Sequence, residues 1–420
     1  MTGIAQVVSC LDGYDPDALH VDKAREAIRG CLQPVKATEK VSTRESLGRV
    51  LAQDIVPAID VPAHDNSAMD GYAVRAADFR EKTDVLLRQI GSAFAGRPFA
   101  GRVGPGECVR VMTGAVMPEG TDTVVIQEIV KRKNAEITVP AGQKPGQNVR
   151  RAGEDLKTGV PVLRSGQPVR PADLGLIASL GVGEVTVRKK LRVAFFATGD
   201  ELASVGSALK QGELYDSNRY TLFAMLQRLG VELTDLGVVR DDPQQLEDAF
   251  RKAAAAADAI VTTGGVSVGE ADFVKPLMSK LGEVLFWKIA MRPGRPMAFG
   301  KIGAAYLFGL PGNPVAVMVT FYQLVRDALL CLSGRTDDFS LPLLRVPSSM
   351  PMRKVPGRTE YQRGILFRDG GEWKVKTTGQ QGSGVLRSMS EANCFIVLEH
   401  ERRGVEAGET VQVQVFEGLG

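Results

Sequence analysis

The sequence predicts a multidomain α/β plus β protein. Its centre is a mostly parallel, three-layer α/β domain, with an N-terminal helical/β region before it and a C-terminal β-barrel-like domain after it. Three observations carry this. At 420 residues, with 46 glycines and 22 prolines, the chain exceeds what one core holds and turns often. Between 191 and 333, apolar strand-like runs alternate with helical periodicity, the pattern of a sheet covered on both faces. On either side, short β-rich runs broken by Gly and Pro recur, as in small β domains.

Residues 1–14 have no period and are expected to form a loose tail. Leu19, Ala24, Ala27, Ile28 and Cys31 recur at spacings of three and four after Pro16, so 17–32 is an amphipathic helix; a short helix over 47–52 follows Ser46. This helical linker region, 1–60, continues in 150–190 and encloses an inserted small β domain, 61–149. Strands at 85–90, 107–112, 123–128 and 136–139 fit an antiparallel sheet, with another at 159–163 and a helix at 171–180. In the α/β domain, 191–333, strands fall at 193–197, 231–239, 259–261 and 283–290, with a hairpin-like pair through Met297 and Leu307. Helices alternate with them at 218–229, 243–257, 273–281 and 314–332. The C-terminal domain, 340–420, carries strands at 363–367, 373–377, 394–399 and 410–415.

Composition excludes several function classes. Fifty-two basic and 49 acidic residues leave a charge of +3, too balanced and dispersed for nucleic-acid or membrane binding. No basic segment precedes an N-terminal apolar run and no eighteen-residue apolar run occurs, so neither a signal peptide nor a membrane span is expected. Cys10, Cys31, Cys108, Cys331 and Cys394 are odd in number and lack C-x-x-C spacing. They read as reduced, buried thiols of a cytoplasmic protein rather than as a disulfide framework or zinc site. With only His20, His64 and His400, far apart in sequence, a histidine triad is disfavoured. Chemistry must rest on carboxylates, hydroxyls, backbone amides and cations.

The stretch D-A-I-V-T-T-G-G-V-S-V-G-E-A-D, 258–272, organises the centre. A buried strand ends in Gly264 and Gly265, and the turn that follows, through Ser267 and Gly269, offers N–H groups to an anion. Asp272 faces a cation or caps the next helix; a purely structural turn explains the stretch as well. Ligands of such sheets bind beyond the carboxyl ends of the strands. That rule brings Thr198, Asp200, Glu201, Asp241, Asp242 and Asp272 to one rim. Facing them are Lys288, Arg292, Arg295 and Leu310-Pro311-Gly312-Asn313-Pro314, where Asn313 stands ready to cap a proline-started helix. Clustered acids repel and raise one another's pKa. Mg²⁺ resolves that repulsion and bridges to a phosphate or oxyanion; the structural alternative makes each acid an independent cap.

Two polar clusters lie outside this domain. Asp65-Asn66-Ser67-Ala68-Met69-Asp70-Gly71 contains a hairpin signal at Asp70-Gly71 but has more hydrogen-bonding side chains than a turn needs. Thr113 precedes a glycine at a strand end. Arg150 and Arg151 stand beside Glu154 and Asp155, as a binding group or a self-paired surface cluster. The 378–384 loop, T-G-Q-Q-G-S-G, is small and polar.

In order, D-N-S-A-M-D-G-Y-A, M-T-G-A, R-R-A-G-E-D, T-G-D-E-L, Y-D-S-N, R-D-D-P, G-G-V-S-V-G-E-A-D, P-G-R-P and G-L-P-G-N-P resemble the MoeA family of molybdopterin molybdenumtransferases, which includes the gephyrin E domain. The match runs from about Leu19 to the C-terminus. It implies a molybdopterin-binding type of α/β domain, four subdomains and an elongated homodimer. It also implies insertion of molybdate into adenylylated molybdopterin, with Mg²⁺-dependent release of AMP. Matching positions are Asp70, Thr113 and Arg150 in the first part, Glu201, Asp241 and Asp272 as the acids of the α/β domain, then Lys288, Arg292, Pro311, Pro314 and Ser383. Asp70, Thr113, Glu201, Asp241, Asp272 and Lys288 are the expected catalytic set, with Glu201, Asp241 and Asp272 on the metal. Arg150, Gly264, Gly265, Ser267, Gly269, Arg292, Arg295, Pro311, Pro314 and Ser383 are the expected substrate contacts.

Arg292 and Arg295 depart from the lysines of many members, and a planar fork holds an oxyanion differently from a point charge. Gln381 stands where histidine or asparagine is frequent. Implied partners are the pathway's adenylyltransferase and apo-molybdoenzymes. Two other readings remain at this point: an adenylyltransferase, whose fold resembles 191–332 alone, and a gephyrin-like scaffold.

Overall fold

The computed structural model describes residues 4–9, 15, 17–265 and 274–416. Its centre is a six-stranded sheet in the order Glu232–Val239, Arg192–Thr198, Ala259–Thr263, Ala305–Leu310, Pro296–Ile302, Gly282–Lys288. The first four strands pair in parallel. Pro296–Ile302 runs against both its neighbours, so the last strand returns to the common direction and its Lys288 end lies at the same edge as Thr198, Thr263 and Leu310. Side-chain alternation sorts the core into two layers. Phe195, Val261 and Phe308 pack on one face with Leu222 and Leu226 of the helix Asn218–Arg228. Phe196, Ile260 and Leu307 pack on the other with Leu246 and Phe250 of the helix Pro243–Ala256.

The helical run Pro314–Leu332 is the central core helix. It is long and apolar enough to cross a membrane, but most of it is buried within the fold. Proline at its first turn fixes the helical φ and lacks only an N–H that would be orphaned there. Asn313 holds the cap position, yet its side chain makes no capping bond.

Several expectations change near the N-terminus. The supposed loose tail contains the helix Ile4–Ser9, whose Ile4 and Val8 are buried. The amphipathic helix is Val21–Cys31, with Val21, Ala24, Ala27 and Ile28 inward, and that face shares the core layer of Phe195 and Val261. No helix forms over 47–52. Gly48 has φ +73° and ends a short 3₁₀ turn, Arg44–Ser46; beyond it Val50 and Leu51 bridge in extended form to Pro168 and Val187. Thr38–Ser42, unrecognised in the sequence, pairs with Glu184–Arg188.

The inserted sheet runs Thr123–Ile126, Gly71–Val74, Glu107–Val111, Val85–Ala93, Glu136–Val139, Lys131–Lys133. It is mixed rather than antiparallel, because Val85–Ala93 and Glu107–Val111 pair in parallel with a bulge. The expected strand at 159–163 reduces to a single bridge, Ile55 to Leu163. At the C-terminus, Leu343–Pro347, Thr410–Val415, Cys394–Leu398 and Thr359–Asp369 form a sheet, with Glu372–Thr377 on its far side. The bridge Ser348 to Val375 brings the ends together, closing a barrel-like wall around Val375, Ile396 and Val413.

Candidate functional site

Strand ends of the α/β sheet place the acids. After Arg192–Thr198 the chain turns at Gly199, where a Cβ would lie 2.6 Å from the Glu201 carboxylate; only glycine lets that side chain fold back over the turn. The Asp200 carboxylate accepts from the Asp241 N–H at 3.2 Å, and Arg240 Nη1 donates to the Asp200 carbonyl at 2.6 Å. Burial, then the charges of Asp200 and Glu201, hold the Asp241 carboxyl above the usual aspartate range. Loss of solvent and neighbouring like charges both disfavour the ionised form in this way. Among the described residues no three His, Cys, Asp or Glu side chains converge closely enough to hold a bare ion. A hydrated Mg²⁺, which keeps several waters, would need only one or two of Asp200, Glu201 and Asp241 as direct ligands. Asp242, placed on the rim by sequence, is a helix cap: its side chain accepts from Gln245 N–H at 2.9 Å.

Gly264 and Gly265, both at positive φ, end the strand Ala259–Thr263. At Gly264 a Cβ would stand 2.4 Å from the Thr198 carbonyl, so two strand ends approach as closely as backbones allow. Thr263 Oγ1 donates to the Pro311 carbonyl at 2.9 Å, and Asn218 Nδ2 donates to the Gly312 carbonyl at 2.6 Å. Ser267, Gly269 and Asp272 lie outside the described residues.

The chain of contacts continues into the C-terminal domain. The Val315 N–H, in the first turn of the core helix, donates to the Ser383 carbonyl at 3.1 Å. The 379–383 loop that carries Ser383 is held by Arg363, which donates to Ser388 Oγ at 3.0 Å, Gly382 O at 3.0 Å and Gln380 O at 3.4 Å. Arg363 is 1% exposed, and every hydrogen-bond acceptor found for its guanidinium is neutral. Burial, and then neighbouring Arg292, bring its pKa down to about 10. Arg292 lies 3.7 Å from the Glu360 carboxylate. Together they border a cavity of about 310 Å³ shared with Arg353, Gln362, Thr377 and Gln381. The cavity thus gathers the guanidinium of Arg292, paired with Glu360, and that of Arg363, whose acceptors are all neutral, so positive charge exceeds negative along its wall.

Gln381 has a job of its own. Its amide oxygen accepts from the Arg363 N–H at 2.8 Å and its nitrogen donates to the Arg363 carbonyl at 3.2 Å, clamping the residue whose side chain holds the loop. Sequence reasoning missed Arg363; the available signal was an arginine inside a strand whose neighbours Thr359 to Gly364 are all buried. Arg295 is exposed. Lys288 is ion-paired with Asp17 at 2.6 Å.

Asp70 and Thr113 meet. One Asp70 oxygen accepts from Thr113 N–H at 2.7 Å and from its hydroxyl at 2.8 Å, and these bonds, the backbone one foremost, lower its pKa. The Asp70-Gly71 pair is not a two-residue hairpin: Gly71 opens the strand Gly71–Val74, and a Cβ there would meet the Val125 carbonyl. Arg150 joins the same edge through the two-stranded pairing of Asn66–Ser67 with Val149–Arg150, with Glu154 at 3.5 Å. Arg151 is engaged by Asp65 at 2.6 Å.

The other polar groups hold few candidates. Cys108 and Cys394 are buried, with pKa pushed up to about 12 by that burial. Cys31 and Cys331 are half-buried, contrary to expectation, and all four are free. His20 and His400, distant in sequence, have ring centroids 5.0 Å apart.

Three family descriptions match successive parts of the chain: the MoeA N-terminal region (domain I and II) at 19–181, a probable molybdopterin binding domain at 194–330 and the MoeA C-terminal region (domain IV) at 345–416. A molybdopterin molybdenumtransferase of Haemophilus influenzae is 44% identical over 403 residues, covering 96% of this chain and 99% of that one. One from a Nostoc species is 34% identical over 384 residues, covering 90% and 88%. The crystal structure of the molybdopterin biosynthesis moeA protein of Pyrococcus horikoshii superimposes with a TM-score of 0.83 at 29% identity, over 95% of this chain and 100% of that one. The chain belongs to the MoeA family of molybdopterin molybdenumtransferases and acts in molybdenum cofactor biosynthesis.

Proposed function

We propose that the protein inserts molybdate into adenylylated molybdopterin, releasing AMP in a Mg²⁺-dependent step. The supporting observation is the unbroken run of contacts from the acids to the arginines. Thr198, which leads into Asp200 and Glu201, abuts Gly264; a Cβ placed on Gly312 would stand 3.9 Å from the Gly264 Cα; and Val315 binds the Ser383 loop that Arg363 holds. A substrate carrying a diphosphate at one end and accepting an oxyanion at the other needs such a crevice, with opposite charge at its two ends.

In this reading Asp241 and Glu201, with Asp272, would hold Mg²⁺, which would supply charge neutralisation at the diphosphate, whose attack by water frees AMP and leaves the pterin its own phosphate. The Arg292 fork orients molybdate, with Arg363 adding positive charge behind it, while the two dithiolene thiols bond molybdenum and their protons leave with a displaced oxygen as water. The protein supplies position and charge, and no side-chain nucleophile is required. The adenylyltransferase reading is set aside because the likeness to molybdenumtransferases spans the whole chain, including both β regions.

Val205, Leu214, Tyr215, Tyr220 and Phe223, at 43–58% of full exposure, put five large apolar side chains on the surface of the segment 202–223, a feature of interaction surfaces where such side chains are contiguous. A second copy of the chain is the occupant we infer, making a homodimer. The free thiols suit a cytoplasmic enzyme, receiving substrate from the pathway's adenylyltransferase and supplying apo-molybdoenzymes. The test is AMP release from adenylylated molybdopterin by purified protein. Release that requires both molybdate and Mg²⁺ is expected; release without molybdate, or AMP transfer from ATP to the pterin, would overturn the reading.

A further inference from the structure

The core helix is irregular at one place. Between Pro314–Thr320 and Arg326–Leu332 it widens into a π-turn, Phe321–Val325, in which the Arg326 N–H reaches back to the Phe321 carbonyl. Such turns disturb the regular ladder and free backbone groups for other partners. Here the partner is Arg25 of the helix Val21–Cys31. Its Nε donates to the Gln323 carbonyl at 3.0 Å and its Nη2 to the Gln323 side-chain oxygen at 2.5 Å. The same Nη2 lies 3.3 Å from Tyr361 Oη, and Nη1 donates to Asp22 at 2.7 Å. Gln323 Nε2 then donates to Gln414 Oε1 at 2.6 Å.

Gln323, Tyr361 and Gln414 are 1%, 2% and 9% exposed, so the bond between Gln323 and Gln414 is buried and those from Arg25 to Gln323 and Tyr361 are partly shielded from water, while the one to Asp22 is exposed. They join three separated parts of the chain: the N-terminal helix, the core helix and two strands of the C-terminal barrel. An apolar contact would hold these parts together but let them slide, whereas hydrogen bonds to a planar fork fix direction as well as distance.

The strand that carries Tyr361 is the one that matters for the oxyanion cavity. Arg363 stands two residues on, hence on the same side of the strand. The same strand pairs with Met291–Arg292, in the register Met291 to Thr359 and Arg292 to Glu360. Whatever fixes Tyr361 against the core helix therefore fixes the spacing of Arg363 from Arg292 and from the Val315 N–H. We propose that Arg25 is a positioning residue for the oxyanion cavity, acting through Gln323 and Tyr361 and without touching the oxyanion. This rests on the assignment of that cavity to molybdate made above.

The test uses the full-length protein, with tungstate binding measured by calorimetry and AMP release measured against molybdate concentration. Arg25→Met and Tyr361→Phe are expected to weaken tungstate binding by about tenfold, since small displacements of a binding geometry are costly. The KM for molybdate should rise by a similar factor while kcat changes little. Arg25→Lys, which keeps the charge but loses the fork, should behave like Arg25→Met. Arg363→Gln is the control that removes a cavity guanidinium. A lowered melting temperature with unchanged tungstate affinity in both test variants would reduce the network to scaffolding and overturn the proposal, as would wild-type affinity in Arg25→Lys. Should Arg25→Met fail to fold, Tyr361→Phe, which loses one hydroxyl, decides alone. Tungstate binding that is absent in the parent, or unaffected in Arg363→Gln, would overturn the cavity assignment itself, a result distinct from an intact cavity indifferent to Arg25.

Discussion

Asp241 shows how a site residue and a stabilising residue differ. Its folded pKa is raised by burial and by the charges of Asp200 and Glu201. It therefore favours the fold only while protonated. That contribution is complete below the ordinary aspartate range and is lost as pH rises through the raised value. At neutral pH without a cation the ionised carboxylate works against folding. Asp241→Asn should accordingly raise the melting temperature at neutral pH in metal-free buffer and leave it unchanged in acid. Mg²⁺ should stabilise the parent but not the variant. AMP release should fall by on the order of 10²-fold, as expected when a preorganised charge is removed from a reacting site. A neutral-pH melting temperature that drops, or turnover that persists, would count against Asp241 as a metal-holding residue. Asp70 has the opposite sign: its pKa is lowered by the Thr113 N–H and hydroxyl, so its contribution is present above the ordinary aspartate range and is lost as pH falls through the lowered value.

At the scale of elements, the strand-to-turn junctions decide whether the crevice forms. Gly264 has φ +89°, and a Cβ there would stand 2.4 Å from the Thr198 carbonyl and 2.8 Å from its hydroxyl. Gly264→Ala pays about 1–2 kcal/mol for the left-handed backbone alone, and the clash with main chain adds to it. We expect a melting temperature lowered by several degrees and weakened substrate binding. Gly265 is also at positive φ, +66°, so Gly265→Ala reports the backbone cost for comparison. An unchanged stability in Gly264→Ala would show that the strands part easily.

The same junctions explain what the sequence made legible. Strand ends carry their own markers, so the β–α alternation, the crevice edge and the Asp241 acid were readable from apolar runs followed by Gly, Asp or Pro. The parallel pairing of Val85–Ala93 with Glu107–Val111 was not, because short strands look alike whichever way they pair. Nor was Arg363: its meaning comes from the loop at 379–383, and a contact between separate segments leaves no local period. The missing helix at 47–52 was a local misreading, in which Gly48 and the buried bridge at Leu51 outweighed helical spacing.

At the scale of the molecule, the Asp70 and Asp241 regions are built on separate cores. The inserted sheet packs Tyr72, Val74, Val125 and Ile137 on one face and Ala73, Val109 and Val124 on the other. Neither layer includes residues of the α/β core. Asp70 with Thr113 thus presents a preorganised carboxylate at the edge of one body, and Asp200, Glu201 and Asp241 lie at the edge of another. In the homodimer proposed above, a two-fold axis would bring each edge to the partner's complement and make two composite sites. Mixing Asp70→Ala with Asp241→Ala subunits after reversible dissociation should then restore activity that neither variant shows alone. Random reassociation gives about half mixed dimers, each with one intact and one doubly damaged site, so recovery should approach roughly a quarter of the parent value. Were both residues to serve a site within one subunit, every site in the mixture would keep a lesion. Mixed dimers confirmed by mass, with activity no higher than that of the separate variants, would reject the shared site.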